Sequence, residues 1–177
     1  MKLFFMRHGE AEFNLTHIHN YIPKNINGLT AHGKEQVNGS SKILKKYRFD
    51  AVFVSELKRA RESAAIACKG IRVKVIIDPR INERNSGMEG KNEKEYLKIM
   101  HDDFFHKKLP GGESFQEEKS RLLKFLNSLK NKKFNRVLIV SHQEPIQIMI
   151  GLIDNLSDEE MVKRKIKNAE IVIRELN

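Results

Sequence analysis

Short, wholly apolar runs interrupt an otherwise polar chain: LFFM at 3–6, AVFV at 51–54 and VLIV at 137–140. Runs of this length without alternation suit strands buried on both faces of a parallel sheet. VKVII at 73–77 is a fourth strand candidate. EIVIREL at 170–176 is a fifth, and its alternation after Glu170 suits an edge. Between the strands, apolar residues recur at helical spacing. Thr30 is a candidate N-cap for a helix carrying Val37, Leu44 and Tyr47. Leu57, Ala60, Ala64 and Cys68 form a small-residue stripe suited to close packing on a sheet, and Leu122, Phe125, Leu126 and Leu129 form a third. The segment 82–112 is polar and glycine-bearing, with one helix expected near Glu93–Met100; it reads as a lid-like excursion. Strands alternating with helices predict an α/β fold of three layers, α/β/α, around a mostly parallel sheet.

Composition narrows the class. The chain has 177 residues, a length that fits one domain spanning 1–177. Its only cysteine, Cys68, cannot build a disulfide framework, so a reducing, cytoplasmic setting is expected. No apolar run reaches the roughly 18 residues of a membrane span, and LFFM is too short for a signal-peptide core. The formal net charge of +10 favours anionic partners. The basic clusters LKKYR, KNKK and KRKIK are short and interrupted by acids, which favours a solvated lysine-rich surface over a nucleic-acid face.

The strand ends carry the chemistry. Ligands of open α/β sheets bind beyond the carboxyl ends of the strands. The 3–6 run delivers Arg7 and His8 there, AVFV delivers Ser55 with Arg59 one turn later, and VLIV delivers Ser141 and His142. Arginine offers a planar fork of donors for phosphate oxygens, and neutral imidazole is a nucleophile. Two arginines would let that imidazole approach a dianion. Asn14 adds an amide donor, and Gly9 is expected where the backbone lies close to a ligand. Ser55 and Ser141 lack a G-x-S-x-G elbow and read as strand-end hydrogen-bonding residues.

These residues stand in a familiar order. RHGEAEFN resembles the opening signature of the histidine phosphatase superfamily, whose fold is phosphoglycerate mutase-like. GLTAHGKEQV, SELKRARESAAIA, INERNSGMEG, PGGES and VLIVSH resemble five further segments of that family, in the family's order. The resemblance implies that His8 is the nucleophile and becomes phosphohistidine. It implies that Arg7, Asn14, Arg59 and His142 line the phosphate pocket. Glu83 would be the proton donor to the leaving oxygen; that assignment rests on the resemblance alone. No metal is implied.

Departures matter as much. After His142 the family usually has two glycines; here stand Gln143 and Glu144, then Pro145, which fits the first turn of a helix. Gln143 retains a backbone amide that can face phosphate, while Glu144 adds negative charge beside an anion site. LTHIHNYIPKNIN at 15–27 replaces a glycine–aromatic segment. Arg84, Lys107 and Lys108 are candidate substrate contacts. His17 and His19, and His101 and His106, lack a specific metal-ligand spacing and read as surface or loop histidines. His32 reads as helix surface, and Phe104, Phe105 and Phe115 as core or lid packing.

The expected activity is hydrolysis of small phosphomonoesters through phosphohistidine. The alternative is a phosphoglycerate mutase primed by 2,3-bisphosphoglycerate; a distant one is a basic nucleic-acid-binding domain. Chain length and PGGES favour the phosphatase, while Glu83-Arg84 resembles the mutase pattern. Partners are then small phosphate esters rather than nucleic acid or membrane, with a homodimer left open.

Overall fold

The computed structural model describes residues 1–23 and 27–177; the part of the divergent 15–27 segment at 24–26 lies outside them. Five strands form one sheet: β1 (Lys2–Arg7), β2 (Ala51–Val54), β3 (Lys74–Ile77), β4 (Arg136–Ser141) and β5 (Ile171–Glu175). The order is β3-β2-β4-β1-β5. β1, β4, β2 and β3 run parallel, and β5 closes one edge antiparallel to β1. The segments singled out as strands in the sequence are the five strands, and the alternating one takes the edge beside β1, with β3 at the other edge.

Alternation along β1 sorts its side chains into two cores. Leu3 and Phe5 join Val137 and Ile139 on one face, under α5 (Phe115–Lys130), α6 (Gln143–Asp154) and α7 (Asp158–Lys163). Phe4 and Met6 join Leu138 and Val140 on the other, under α2 (Ala31–Leu44) and α3 (Lys58–Ala67). The three layers follow from this division. The remaining helices are short: α1 (Glu12–Thr16) after β1, and α4 (Glu93–Ile99) inside the 82–112 excursion. No helix among the described residues is long and apolar enough to cross a membrane.

Helix starts follow the expected chemistry. Thr30 Oγ1 accepts from Gly33 N at 2.9 Å, and Ser114 and Glu117 form a reciprocal capping box on α5. Tyr47 lies beyond the end of α2, packed on Phe4 with ring centroids 4.7 Å apart. Gly9 has a reason within the fold itself. A Cβ there would stand 2.3 Å from the Gly33 carbonyl oxygen, and a Cβ on Gly33 would stand 2.0 Å from the Glu10 carbonyl oxygen. The two glycines let the first turn of α2 lie against the loop that follows β1. This contact by itself demands glycine at position 9, and it holds the backbone that carries His8.

Candidate active site

Adjacency in the sheet gathers the site. Arg7 pairs with Ser141 across β1 and β4, so His8 and His142, each the next residue, emerge side by side. Their ring centroids are 5.1 Å apart. β2 flanks β4, which brings Ser55 to the same rim, and α3 returns Arg59 over it. His8, Arg59 and His142 are 2%, 1% and 0% exposed.

Each imidazole is held in one tautomer. His8 Nδ1 lies 2.6 Å from the Gly9 carbonyl oxygen, which can only accept, so Nδ1 carries the proton. Nε2 therefore keeps its lone pair and accepts from Arg59 Nε at 3.3 Å. Burial, then Arg59 and Arg7, hold the His8 pKa well below the ordinary histidine value, so the ring is neutral at physiological pH.

His142 is set by a chain of bonds. Glu56 N donates to Asn82 Oδ1 at 2.9 Å, which fixes the Asn82 amide, and Ser55 Oγ donates to the same oxygen at 2.8 Å. With its proton committed, Ser55 Oγ accepts from His142 Nε2–H at 2.8 Å. His142 Nδ1 is buried without a hydrogen-bond partner and faces Glu83 Oε2 at 4.0 Å. Burial, Arg59 and His8 also keep this ring's pKa well below the ordinary value. Burial and then Glu144 push the Glu83 carboxyl up to about 7, against the pull of Arg59 and Arg7. A proton in this corner can thus sit on Glu83 or on His142 Nδ1, each aimed at the same space.

The cations are positioned from outside the motifs. Arg59 Nη1 donates to both the carbonyl oxygen and Oδ1 of Asn20, each at 3.0 Å. Burial lowers the Arg59 pKa to about 10, still charged at neutral pH. Arg7 Nη1 donates to Gln143 Oε1 at 2.9 Å and to the Ile166 carbonyl at 2.7 Å. Asn14 Oδ1 accepts from Ala11 N at 3.0 Å, so its NH₂ is the end able to face an anion. His142 caps α6, whose N-terminus opens toward the site and favours negative charge there. Asn20 and Asn82 had no signal in the sequence, because their roles exist only once distant segments meet.

These are a nucleophilic lone pair, two guanidiniums, a helix N-terminus and a proton donor within one rim, the layout that phosphoryl transfer through histidine requires. This chain belongs to the histidine phosphatase superfamily. The model of that superfamily's branch 1 matches residues 3–177. The Escherichia coli (strain K12) adenosylcobalamin/alpha-ribazole phosphatase is 28% identical over 170 residues, covering 91% of this chain and 83% of its own. A 2,3-bisphosphoglycerate-dependent phosphoglycerate mutase of Afipia carboxidovorans is 26% identical, covering 98% and 91%. The crystal structure of the alpha-ribazole phosphatase from Shigella flexneri superposes with a TM-score of 0.90 at 26% identity, over 100% of this chain and 91% of that one. The fold is therefore phosphoglycerate mutase-like, and the chain is an enzyme of the superfamily whose site fits phosphoryl transfer through phosphohistidine.

Within this superfamily member, a cavity of about 260 Å³ opens against Arg7 and Glu83 and runs toward the 82–112 excursion. Its walls include Phe13, Tyr96, Phe104, Gln143, Glu144 and Arg84. Lys107 and Lys108 do not line it: Lys107 Nζ donates to the Ile99 carbonyl at 2.7 Å, and Lys108 pairs with Glu117 at 2.6 Å. A larger hollow of about 510 Å³ lies along Arg80, Lys108 and Arg121, but each of these is paired with a carboxylate, and no histidine lines it.

The histidines outside the motifs lie on the surface, except that His19 lines the cavity with its Nε2 buried and without a hydrogen-bond partner. His17 pairs with Glu93, His19 meets the Tyr96 ring edge-on, His32 lies on the exposed face of α2, and His101 and His106 are exposed beside Asp102 and Asp103. Among the described residues, Glu83, Glu118 and Glu144 bring carboxylate oxygens within 4.8 Å of one another. Arg84 and Arg121 already stand beside them, at 3.8 Å and 3.6 Å from Glu118.

Proposed function

We propose that the enzyme hydrolyses small phosphomonoesters in two steps. The ester's phosphate docks on Arg7, Arg59, Asn14 and the α6 N-terminus, displacing His8 as the acceptor of Arg59 Nε. His8 Nε2 attacks phosphorus in line while Glu83 gives its proton to the departing alcohol oxygen. His142, protonated at Nδ1 in the presence of the dianion, donates to the transferring group. Water, deprotonated by Glu83, then cleaves phosphohistidine and releases phosphate.

The observation that carries this reading is the His8 tautomer: Nδ1 committed to Gly9, Nε2 against Arg59. A neutral ring with its lone pair among cations is poised to attack an anion. Hydrolysis is favoured over a second transfer because the Glu83 side chain, with Oε1 buried, still keeps 24% of its surface exposed, which leaves water a path to the carboxyl. A mutase must keep water from its phosphoenzyme. The mutase alternative rests on Arg84, which lines the cavity beside Glu83.

The test is acid-quench labelling with a radiolabelled phosphoester, beside steady-state phosphate release. The wild type should carry label on His8, and His8→Ala should lose both label and turnover, by on the order of 10⁴-fold or more. Normal turnover by His8→Ala would end the proposal.

A further inference from the structure

The cavity beyond the phosphate site has an unusual charge arrangement, and it bears on which esters fit. Arg84 is the cation nearest the space an alcohol group would fill. Its guanidinium lies over Phe104 at 4.7 Å and over Tyr96 at 5.6 Å. Arg84 Nη2 donates to Glu144 Oε1 at 2.9 Å, and Nε lies 3.8 Å from Glu118. The side chain is 4% exposed, and the remaining Nη1 is buried without a hydrogen-bond partner. Stacked on two rings and bonded to Glu144, this arginine has its one charge matched inside the wall.

We propose that Glu144, by neutralising Arg84 at the cavity wall, makes this site reject esters carrying a carboxylate and select phosphomonoesters of uncharged alcohols with an apolar body. The proposal rests on the phosphatase reading and names its substrate class.

The charge inventory runs one way. Once phosphate occupies Arg7 and Arg59, the cavity wall retains Arg84 against Glu144, with Glu93 further along the same wall. Glu118 is fully buried behind them, and burial favours its protonated form. Even so, Arg84 draws Glu144 toward its ionised form against burial and the two sum to zero, while Glu93 stands beside His17, and His19, which burial keeps neutral, adds no cation to the wall. A substrate carboxylate would lose water here without gaining a cation. Phe13, Tyr96, Leu97, Phe104 and Val162 supply apolar wall for a flat or aliphatic group.

The test uses matched ester pairs that differ by one carboxylate. These are glycerol 3-phosphate against 3-phosphoglycerate, and phenyl phosphate against 4-carboxyphenyl phosphate. In the wild type, kcat/KM should favour the uncarboxylated member of each pair by roughly tenfold or more, the order expected for one like-charge contact in a partly dry site. In Glu144→Gln the ratio should narrow at least about threefold in both pairs, chiefly through a lower KM for the carboxylated esters. A wild-type ratio near one, or a ratio unchanged by Glu144→Gln, would overturn the proposal. The wild-type ratios need no variant, so a Glu144→Gln protein that failed to fold would leave them decisive. Turnover of carboxylated and plain esters at equal rates, with label still on His8, would remove only this selectivity. Absence of turnover and label for every ester would remove the phosphatase reading and the selectivity with it.

Discussion

The site has two ends built by different means. The phosphate end sits on the carboxyl ends of β1, β4 and β2, where a strand register of one residue places His8 beside His142. The alcohol end hangs from the 82–112 excursion and the first turn of α6, where Arg84, Tyr96, Phe104 and Glu144 hold one another. The first is buried under two cores and has its tautomers fixed by backbone carbonyls and a serine–asparagine chain. The second is an acid–base cluster whose members depend on one another. On the proposed reading, chemistry is anchored to the sheet, and selectivity is delegated to a part that can vary without moving the nucleophile.

That division can be strained from the phosphate end first. Arg59→Ala should lower kcat by on the order of 10²–10³, since it removes a preorganised donor where charge develops. Single-turnover kinetics would check this, and a loss confined to KM would place Arg59 in ground-state binding instead.

Glu83 lies on the boundary between the two ends. Its carboxyl, raised to about 7 by burial and Glu144, is protonated below that pH and ionised above it. For alkyl esters, kcat/KM should therefore fall as pH rises through about 7. His8 stays neutral well below pH 6.5, so no rising limb should appear there. Glu83→Gln has no proton to lose, so its descending limb should vanish. It should slow alkyl esters by roughly 10²–10⁴ and nitrophenyl esters much less. Equal losses for both ester types would remove Glu83 as proton donor.

A smaller effect should come from Ser55→Ala. It takes away the acceptor for His142 Nε2–H and frees the ring to change tautomer. Turnover should fall about tenfold and stability by about 1–3 kcal/mol, the cost of a buried donor left unmade. Vanadate inhibition should weaken while His8 labelling persists; unchanged inhibition with normal turnover would show that the chain from Asn82 does not reach the reaction.

Much of the phosphate end was legible before folding, because strand-buried runs and the residues that follow them are local in sequence. LFFM, AVFV and VLIV became β1, β2 and β4, and each placed its next residues at the rim. The residues that position the ligating groups were hidden. Asn20 grips Arg59 across 39 positions and Asn82 reaches Ser55 across 27, and no local pattern announces such pairs. The constraint that Gly33 places on Gly9 was hidden as well, since the two stand 24 residues apart. Lys107 and Lys108 lie inside the excursion, yet their side chains bond to Ile99 and Glu117 rather than face the cavity. Short helices such as α1 and α7 carry too few apolar repeats to register as periodic.

The guanidinium resting on His8 Nε2 has a consequence for the idle enzyme. An unguarded lone pair among polar groups would be open to stray protons and small electrophiles. On the proposed mechanism the imidazole is latched until an oxyanion competes for the same N–H. Recognition of phosphate and release of the latch would then be one event, with reactivity switched on by the group it is meant to act upon.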